Sequence, residues 1–218
     1  LGLSYIAANV RQAGHEVCIV DRRIMFMKSQ YNLEKLDKNT IDTIVEFKAD
    51  YVGFYLNVVL INDVFHLSNI LKNELLYIKI IVGGPQVTLF RQDVISRIPN
   101  ADIYSSGEGE ITTLEILDGK PLEEILGIAY RCEAGIKVNP ARPLIEDLDV
   151  LPLPARDLLD TEFYFNPDKN ILVDYSKSYN GDNPRMAEIL TSRGCTMQCS
   201  FCACPKIWDK RVRYHSSK

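Results

Sequence analysis

Several features that are common in membrane, secreted and nucleic-acid-binding proteins are missing from this sequence. The longest apolar stretch covers residues 51–61, is interrupted by Asn57 and is too short to cross a bilayer. The sequence shows no secretory signal, which would combine a basic start with an apolar core. The net charge of −4 comes from well-mixed residues, whereas nucleic-acid binders more often carry a basic face. These absences predict a cytoplasmic protein without a membrane span or a nucleic-acid partner.

A disulfide framework is also excluded by the distribution of cysteine. Two cysteines stand alone, and the other four lie within ten residues: Cys195, Cys199, Cys202 and Cys204. Disulfides between such close neighbours would close loops too short to constrain the chain. In a cytoplasmic protein, a cluster of this kind more often indicates a metal site. The chain begins with Leu1 and stops at Lys218 without a terminal cap, so we expect it to be a piece of a longer protein.

Apolar helical stripes alternate with short apolar runs along the first half of the chain. Strands that alternate with helices predict an α/β fold with a parallel, doubly wound sheet. The predicted helices cover residues 3–13, 40–49, 62–76, 91–98 and 107–117. The predicted strands cover residues 17–20, 51–55, 79–82 and 102–104. Gly83-Gly84-Pro85 predicts a turn that would exclude helix at these positions.

The pattern changes after Gly119. Residues 128–131 and 136–138 predict a β-hairpin, and residues 140–160 contain four prolines, which is typical of an extended linker. Residues 161–184 show no period that assigns them a structure, and residues 188–191 predict a strand that leads to the cysteines. We therefore expect an α/β domain at 1–120, a hairpin and linker region at 121–185, and the start of a further domain at 186–218.

The spacing C-x-x-x-C-x-x-C in Cys195, Cys199 and Cys202 suits three of the four irons of a cubane cluster. The fourth iron would then have no protein ligand and could bind a small molecule. Two alternatives remain open on spacing alone. One is a zinc knuckle completed by Cys204 or His215, although the separated second pair of ligands that zinc favours is missing. The other is a set of buried thiols without a metal.

Residues 191–202, TSRGCTMQCSFC, closely resemble the loop after the first barrel strand of radical S-adenosylmethionine enzymes. That family uses C-x-x-x-C-x-aromatic-C, and Phe201 occupies the aromatic position. The resemblance implies a 4Fe–4S cluster on the three cysteines, with S-adenosylmethionine bound at the open iron and Phe201 near its adenine. An electron from the cluster would release a 5′-deoxyadenosyl radical. Cys204 would stay unligated, because a fourth thiolate would block the open iron.

The earlier part of the chain resembles the cobalamin-binding domain of the same enzymes. The whole resemblance extends over residues 1–160 and 187–218. Within the first part, four short segments match the family and occur in the family's order: residues 1–8, 14–17, 82–85 and 107–110. In such domains the first strand lies centrally, in the order 2-1-3-4-5, and here it would precede Leu1. The implied fold is a Rossmann-like cobalamin-binding sheet, a linker, and the first strand and cluster loop of a partial (β/α) barrel.

Cobalamin would bind at the carboxyl ends of the strands, where glycines let the nucleotide tail approach the backbone. The implied cobalamin contacts are Tyr55, Asn57, Gly83, Gly84, Gly107, Glu108 and Gly109. Tyr55-Leu56-Asn57 stands where the family has Ser-x-Leu, and the cobalt-ligating Asp-x-His-x-x-Gly segment is absent. We expect His15 and His66 to be exposed. Taken locally, the glycine segments could instead be simple tight turns.

The resemblance implies a cobalamin-dependent radical enzyme, namely a methyltransferase that acts on an unactivated carbon or phosphorus centre of a small molecule. A one-electron reductant such as flavodoxin or ferredoxin would supply the electron that reduces the cluster. Two alternatives are a radical ring-closure or rearrangement enzyme with the same cofactors, and a non-catalytic cobalamin- or metal-binding module. The 218 residues alone are expected to be inactive.

Overall fold

A computed structural model describes residues 1–165 and 188–217. Its helices are α1 (Gly2–Gln12), α2 (Arg22–Lys28), α3 (Leu33–Phe47), α4 (Ile61–Glu74), α5 (Pro85–Arg97), α6 (Gly109–Leu117), α7 (Thr161–Phe165) and α8 (Cys204–Trp208). Its strands are β1 (Tyr51–Tyr55), β2 (Lys79–Gly83), β3 (Ile103–Ser105), β4 (Ile128–Cys132), β5 (Gly135–Val138), β6 (Ser192–Gly194) and β7 (Val212–Tyr214). Among these helices, none combines the length and apolar character that crossing a membrane requires.

Five strands form one sheet in the order β1-β2-β3-β4-β5. Strands β1, β2 and β3 are parallel, which confirms the predicted α/β class. The predicted hairpin is also present as β4 and β5, and it extends the same sheet in antiparallel fashion beyond β3. The carboxyl ends of the parallel strands therefore meet at one edge, at Tyr55, Gly83 and Ser105.

Helices cover both faces of the sheet, because successive side chains of a strand point to opposite sides. Ile80 and Val82 of β2 belong to a core cluster that also contains Leu67 of α4 and Val87 of α5. Ile81, between them in the sequence, belongs to a second cluster with α6 and the hairpin. This two-sided burial explains why β2 is a continuous apolar run rather than an alternating one.

The predicted strand at residues 17–20 is wrong. The segment has no strand pairing among the described residues, and Val17 and Ile19 instead pack against Ala7, Ala8 and Ala155. A strand needs a partner for its backbone groups, and apolar character alone does not supply one. Strand β1 consequently lies at the edge of the described sheet.

Two helix starts, those of α3 and α5, differ most from the sequence expectation because capping residues set them. Helix α5 begins at Pro85, where the turn was predicted: Gly84 is its N-cap with a φ of 107°, and proline suits the first turn of a helix. Helix α3 begins seven residues before the predicted start. The Asn32 side chain accepts a hydrogen bond from the Lys35 backbone N–H at 2.9 Å and so caps the helix there.

A second, two-stranded sheet carries the approach to the cysteines. The predicted strand at 188–191 is wrong. The strand before the cysteines is β6 at Ser192–Gly194, which pairs antiparallel with β7. Residues 192–194 form the strand because they lie opposite β7, which provides partners for their backbone groups. The unassigned segment at 161–184 begins with α7 and otherwise lies largely outside the described residues.

Candidate cofactor site

The cysteine loop starts at Gly194, the last residue of β6. Gly194 has a φ of 110°, and a Cβ atom at this position would overlap the carbonyl oxygen of Arg211. Glycine therefore lets β6 turn into the loop while it stays paired with β7. The loop ends at α8, which has Pro205 in its first turn.

Three of the four thiols are close together. Cys204 is near Cys195 and Cys202, and the Cys204 backbone N–H donates to the Cys202 sulfur at 3.4 Å. Burial raises the pKa of the Cys204 thiol, and the charges of the Cys195 and Cys202 sulfurs and a hydrogen bond to Cys195 act in the same direction. Cys199 is exposed on the same loop.

This donor set has the chemistry that an iron–sulfur cluster requires, but the structure does not gather Cys195, Cys199 and Cys202 at one point. Proteins bind such clusters through thiolates, and hydrogen bonds to the sulfur atoms help to set the reduction potential of the cluster. Cys195, Cys199 and Cys202 are half-buried or exposed on one loop, with a backbone N–H already directed at a sulfur. In the described parts of the chain, no three His, Cys, Asp or Glu side chains are grouped so that they could hold a metal ion.

Two other residues from the sequence hypotheses lie beside this loop. Phe201 is 91% exposed, so its ring is available to a flat ligand. His215, the alternative zinc ligand, stacks on Tyr5 with ring centroids 6.1 Å apart and directs Nδ1 toward Asp149 at 3.5 Å. His215 thus engages the linker and α1.

The carboxyl edge of the parallel strands holds most of the predicted cobalamin residues. Tyr55 and Gly83 end β1 and β2, and Asn57 caps the short turn Val58–Leu60 through its side-chain oxygen. At Gly84 a Cβ atom would lie 2.8 Å from the Leu56 carbonyl oxygen. Gly84 is therefore required by the neighbouring backbone even before any ligand is considered.

The segment after β3 brings the remaining predicted residues to the same edge. Gly107 has a φ of 81° with open space where a Cβ would stand, and its N–H donates to the Thr88 hydroxyl at 3.0 Å. Gly109 instead packs on α1, since a Cβ there would lie 2.8 Å from Ile6 Cδ1. Gly107 is thus open toward the edge, whereas Gly109 serves helix packing.

Glu108 points into a buried group of ion pairs that the sequence analysis did not find. Its Oε1 accepts from Arg193 Nη1 at 2.7 Å, and its Oε2 accepts from Arg213 Nη1 at 2.9 Å and from the Ile145 backbone N–H at 2.6 Å. Glu110 accepts from Arg193 Nη2 at 2.6 Å. Burial lowers the pKa of the Arg193 guanidinium, but the two carboxylates outweigh this effect and raise the pKa overall.

Aromatic rings enclose this charged group. The Arg193 guanidinium lies 5.4 Å from the centre of the Tyr5 ring and 5.6 Å from that of Trp208, and Arg213 lies 5.9 Å from Trp208. Cations over aromatic faces are attracted to the ring quadrupole. Residues from α1, α6, β6, α8 and β7 therefore meet at one buried point.

Comparisons with known proteins show which family the chain belongs to. Residues 1–117 match the B12 binding domain. The chain is 31% identical over 221 residues to an "uncharacterized methyltransferase" of Pyrococcus horikoshii, covering 99% of this chain and 43% of the relative. It is 28% identical over 256 residues to the cytidylyl-2-hydroxyethylphosphonate methyltransferase of Streptomyces wedmorensis, covering 99% and 46%. Its fold matches TsrM, a radical S-adenosylmethionine methyltransferase of Kitasatospora setae, with a TM-score of 0.63, 16% identity, and coverage of 99% and 40%.

The chain belongs to the B12 binding domain family. It spans less than half the length of the curated relatives named above. The B12 binding domain agrees with the predicted cobalamin. Of the solved structures that share the fold, one TsrM structure holds cobalamin and a 4Fe–4S cluster, and another holds an S-adenosylmethionine analogue. The individual site residues of this member of the B12 binding domain family stay predictions.

A further residue at the carboxyl edge was missed by the sequence analysis of this family member. Arg91 of α5 donates from Nε to the Ser106 hydroxyl at 3.0 Å, beside Gly107, and burial lowers the pKa of its guanidinium. The sequence signal was weak, because an arginine on a predicted helix is usually a solvated surface residue. Burial at the strand ends is what distinguishes Arg91.

Proposed function

We propose that this chain forms the cobalamin- and cluster-binding part of a radical S-adenosylmethionine methyltransferase. Its acceptor would be an unactivated carbon or phosphorus centre of a small molecule. One observation carries the proposal: the segment Gly107–Gly109 borders the carboxyl edge and, through Glu108, also binds β6 and β7, the strands that flank the cysteine loop. Two cofactor regions that act on one substrate must be held near each other, and this segment belongs to both.

The cysteine loop would hold the cluster through Cys195, Cys199 and Cys202. When bound and reduced, such a cluster supplies the electron that cleaves S-adenosylmethionine. Phe201 is exposed beside these thiols and would pack against the adenine. The protonated Cys204 thiol would donate to the Cys195 sulfur rather than ligate iron. An S–H donor beside a thiolate ligand withdraws charge from it, as hydrogen bonds to sulfur do in other clusters.

The carboxyl edge would hold the cobalamin tail. Gly107, which follows β3, has open space where a Cβ would stand, so a ligand can approach the backbone closely there, while Gly83 at the end of β2 faces Ser105. Arg91 places a guanidinium beside Gly107, with the Ser106 hydroxyl as hydrogen-bond partner. The nucleotide tail of cobalamin carries a phosphodiester, and guanidinium groups bind phosphate oxygens strongly. Arg91 would therefore pair with that phosphate.

The test uses the protein at its full natural length, reconstituted anaerobically. Iron, sulfide and cobalamin are counted, and S-adenosylmethionine with an isotopically labelled methyl group is added with a one-electron reductant. We expect the label to enter the bound cobalamin, which mass spectrometry detects. Formation of 5′-deoxyadenosine with no label in cobalamin would instead support the ring-closure or rearrangement class. Cofactor binding without either product would instead support the non-catalytic binding module.

A further inference from the structure

The buried ion-pair group is an unusual place for four charges. The exposed side-chain fractions are 1% for Glu108, 6% for Glu110, 3% for Arg193 and 4% for Arg213. Charged side chains are almost never buried to this degree unless they are paired. Here two carboxylates face two guanidiniums, so the group is neutral as a whole.

The pairing joins distant parts of the chain. Glu108 and Glu110 flank the start of α6, whereas Arg193 and Arg213 lie opposite each other in the β6–β7 ladder. Like charges directly opposite each other in a ladder destabilise it. The β6–β7 sheet therefore depends on Glu108, which accepts hydrogen bonds from both arginines.

The same contact fixes the cysteine loop. Arg193 stands two residues before Cys195, and Gly194 between them is locked by its approach to Arg211. A displacement of the Arg193 guanidinium from Glu108 would thus move the first cysteine. Buried ion pairs of this kind stabilise weakly compared with apolar packing, but they can fix one geometry among alternatives.

We infer that Glu108 is a positioning residue that locks the cluster-binding loop onto the cobalamin-binding sheet. The locking itself follows from the contacts above, and its consequence for the two cofactors rests on the proposed function. Glu108 adjoins Gly107 at the carboxyl edge, so a single peptide segment sets the distance between the two cofactor regions. The four side chains of the lock come from both regions: Glu108 and Glu110 lie at the start of α6, and Arg193 and Arg213 lie in the strands that flank the cysteine loop.

Trp208 offers a direct reporter, since it is the only tryptophan in the chain and packs against both arginines. Its fluorescence follows docking of the β6–β7 segment, while far-UV circular dichroism follows the helices of the α/β fold. In the unmodified chain we expect both signals to unfold with one midpoint in urea. In Glu108→Gln the Trp208 transition should come first, with the docked-to-undocked ratio reduced by about a hundredfold or more.

Glu146→Gln is the matched control. Glu146 pairs with Arg211 of the same segment at 2.6 Å, but the pair is solvent-exposed. Removing an exposed pair should change the docking ratio by less than about fivefold. If Glu108→Gln changes it no more than this control does, or shifts both signals equally, the inference is overturned.

A double variant covers the case in which Glu108→Gln does not fold. Glu108→Gln with Arg213→Gln leaves Arg193 paired with Glu110 and buries no unmatched charge. We expect this double variant to dock better than either single variant, since the two sites are coupled. If the effects of the two substitutions on docking of the β6–β7 segment are strictly additive, the inference is overturned.

A second measurement uses the full-length protein loaded with both cofactors. Power saturation of the cob(II)alamin paramagnetic resonance signal reports relaxation by a nearby reduced cluster. Glu108→Gln should lose this relaxation enhancement while cluster and cobalamin contents match those of the unmodified protein. Retained enhancement would count against the positioning role. Failure of the unmodified protein to bind the cofactors would instead defeat the proposed function, and the Trp208 experiment would still decide the lock.

Discussion

Arg193 lies directly opposite Arg213 in the β6–β7 ladder, and both guanidiniums donate to the same carboxylate, that of Glu108. The pair would repel in isolation, so the small sheet depends on a residue that is 85 or more positions away in the sequence. This relationship gives Glu108 a role different from the cobalamin contact that the family resemblance implies. That contact remains a prediction, but both carboxylate oxygens are engaged by protein groups.

The cluster ligands are the first prediction. Changing Cys195, Cys199 or Cys202 to Ala in the full-length protein should each reduce cluster iron and sulfide to background, because three-point attachment leaves no spare ligand. Cys204→Ala is the control and should keep the cluster, as measured by iron and sulfide content and electron paramagnetic resonance. Loss of the cluster in Cys204→Ala, with one of the other cysteines dispensable, would show that the assignment is wrong.

Gly84 should matter for folding independently of cobalamin. Its φ of 107° and ψ of −176° belong to a region that side chains rarely adopt, and an added Cβ meets the Leu56 backbone. Gly84→Val should therefore lower the free energy of unfolding of the ligand-free chain by about 1–3 kcal/mol or more. Gly83→Ala is the control, since its Cβ would lie 3.6 Å from the Ser105 oxygen, an ordinary contact. Equal stability of the two variants in urea titrations would contradict this account.

Arg91 should contribute to cobalamin affinity. Arg91→Gln removes the cation beside Gly107, and we expect the dissociation constant for cobalamin to rise about tenfold, or about 1.4 kcal/mol. Arg97→Gln on the same helix is the control, because its exposed pair with Asp93 lies outside the carboxyl edge. Titration followed by the cobalamin absorption spectrum measures both. An unchanged constant in a folded Arg91→Gln protein would remove Arg91 from the site.

Acid stability should depend on Asp37, which accepts from Arg22 at 2.9 Å and from His66 at 2.7 Å. Burial raises the pKa of Asp37, but these two partners outweigh it and hold the pKa below its ordinary value. The unfolded chain therefore binds the proton at a higher pH than the folded chain. Stabilisation by Asp37 is complete above its unfolded-state pKa, about pH 4, and is lost as the pH falls further.

The corresponding experiment compares Asp37→Asn with the unmodified chain by urea titration across this pH range. The variant should be less stable by about 1–3 kcal/mol near neutral pH, and the difference should shrink below about pH 4. Asp42→Asn on the same helix is the control, because Asp42 pairs with Lys38 at an exposed position and should contribute little. A difference that grows on acidification would contradict the assigned sign.

Much of the chain was predictable from its sequence. Alternating helical and strand patterns predicted the parallel sheet, because apolar periodicity directly reflects which faces are buried. The spacing of Cys195, Cys199 and Cys202, with Phe201 between the last two, predicts a cluster loop, since the ligands of one short loop are neighbours in sequence, and this assignment stays a prediction. His66 was correctly predicted to be exposed and pairs with Asp37, whereas His15 is half-exposed and pairs with Asp118.

Only the tertiary structure decided how these parts are joined. The sequence places Arg193 and Glu108 85 residues apart, and no local pattern pairs an arginine before a cysteine loop with a glutamate at a distant helix start. Partner strands likewise decided that residues 17–20 do not form a strand and that β6 begins at Ser192. Local propensities and ligand spacing act over a few residues and are readable from sequence. Buried ion pairs and strand pairing depend on which distant groups meet when the chain packs, and the packed fold alone settles that.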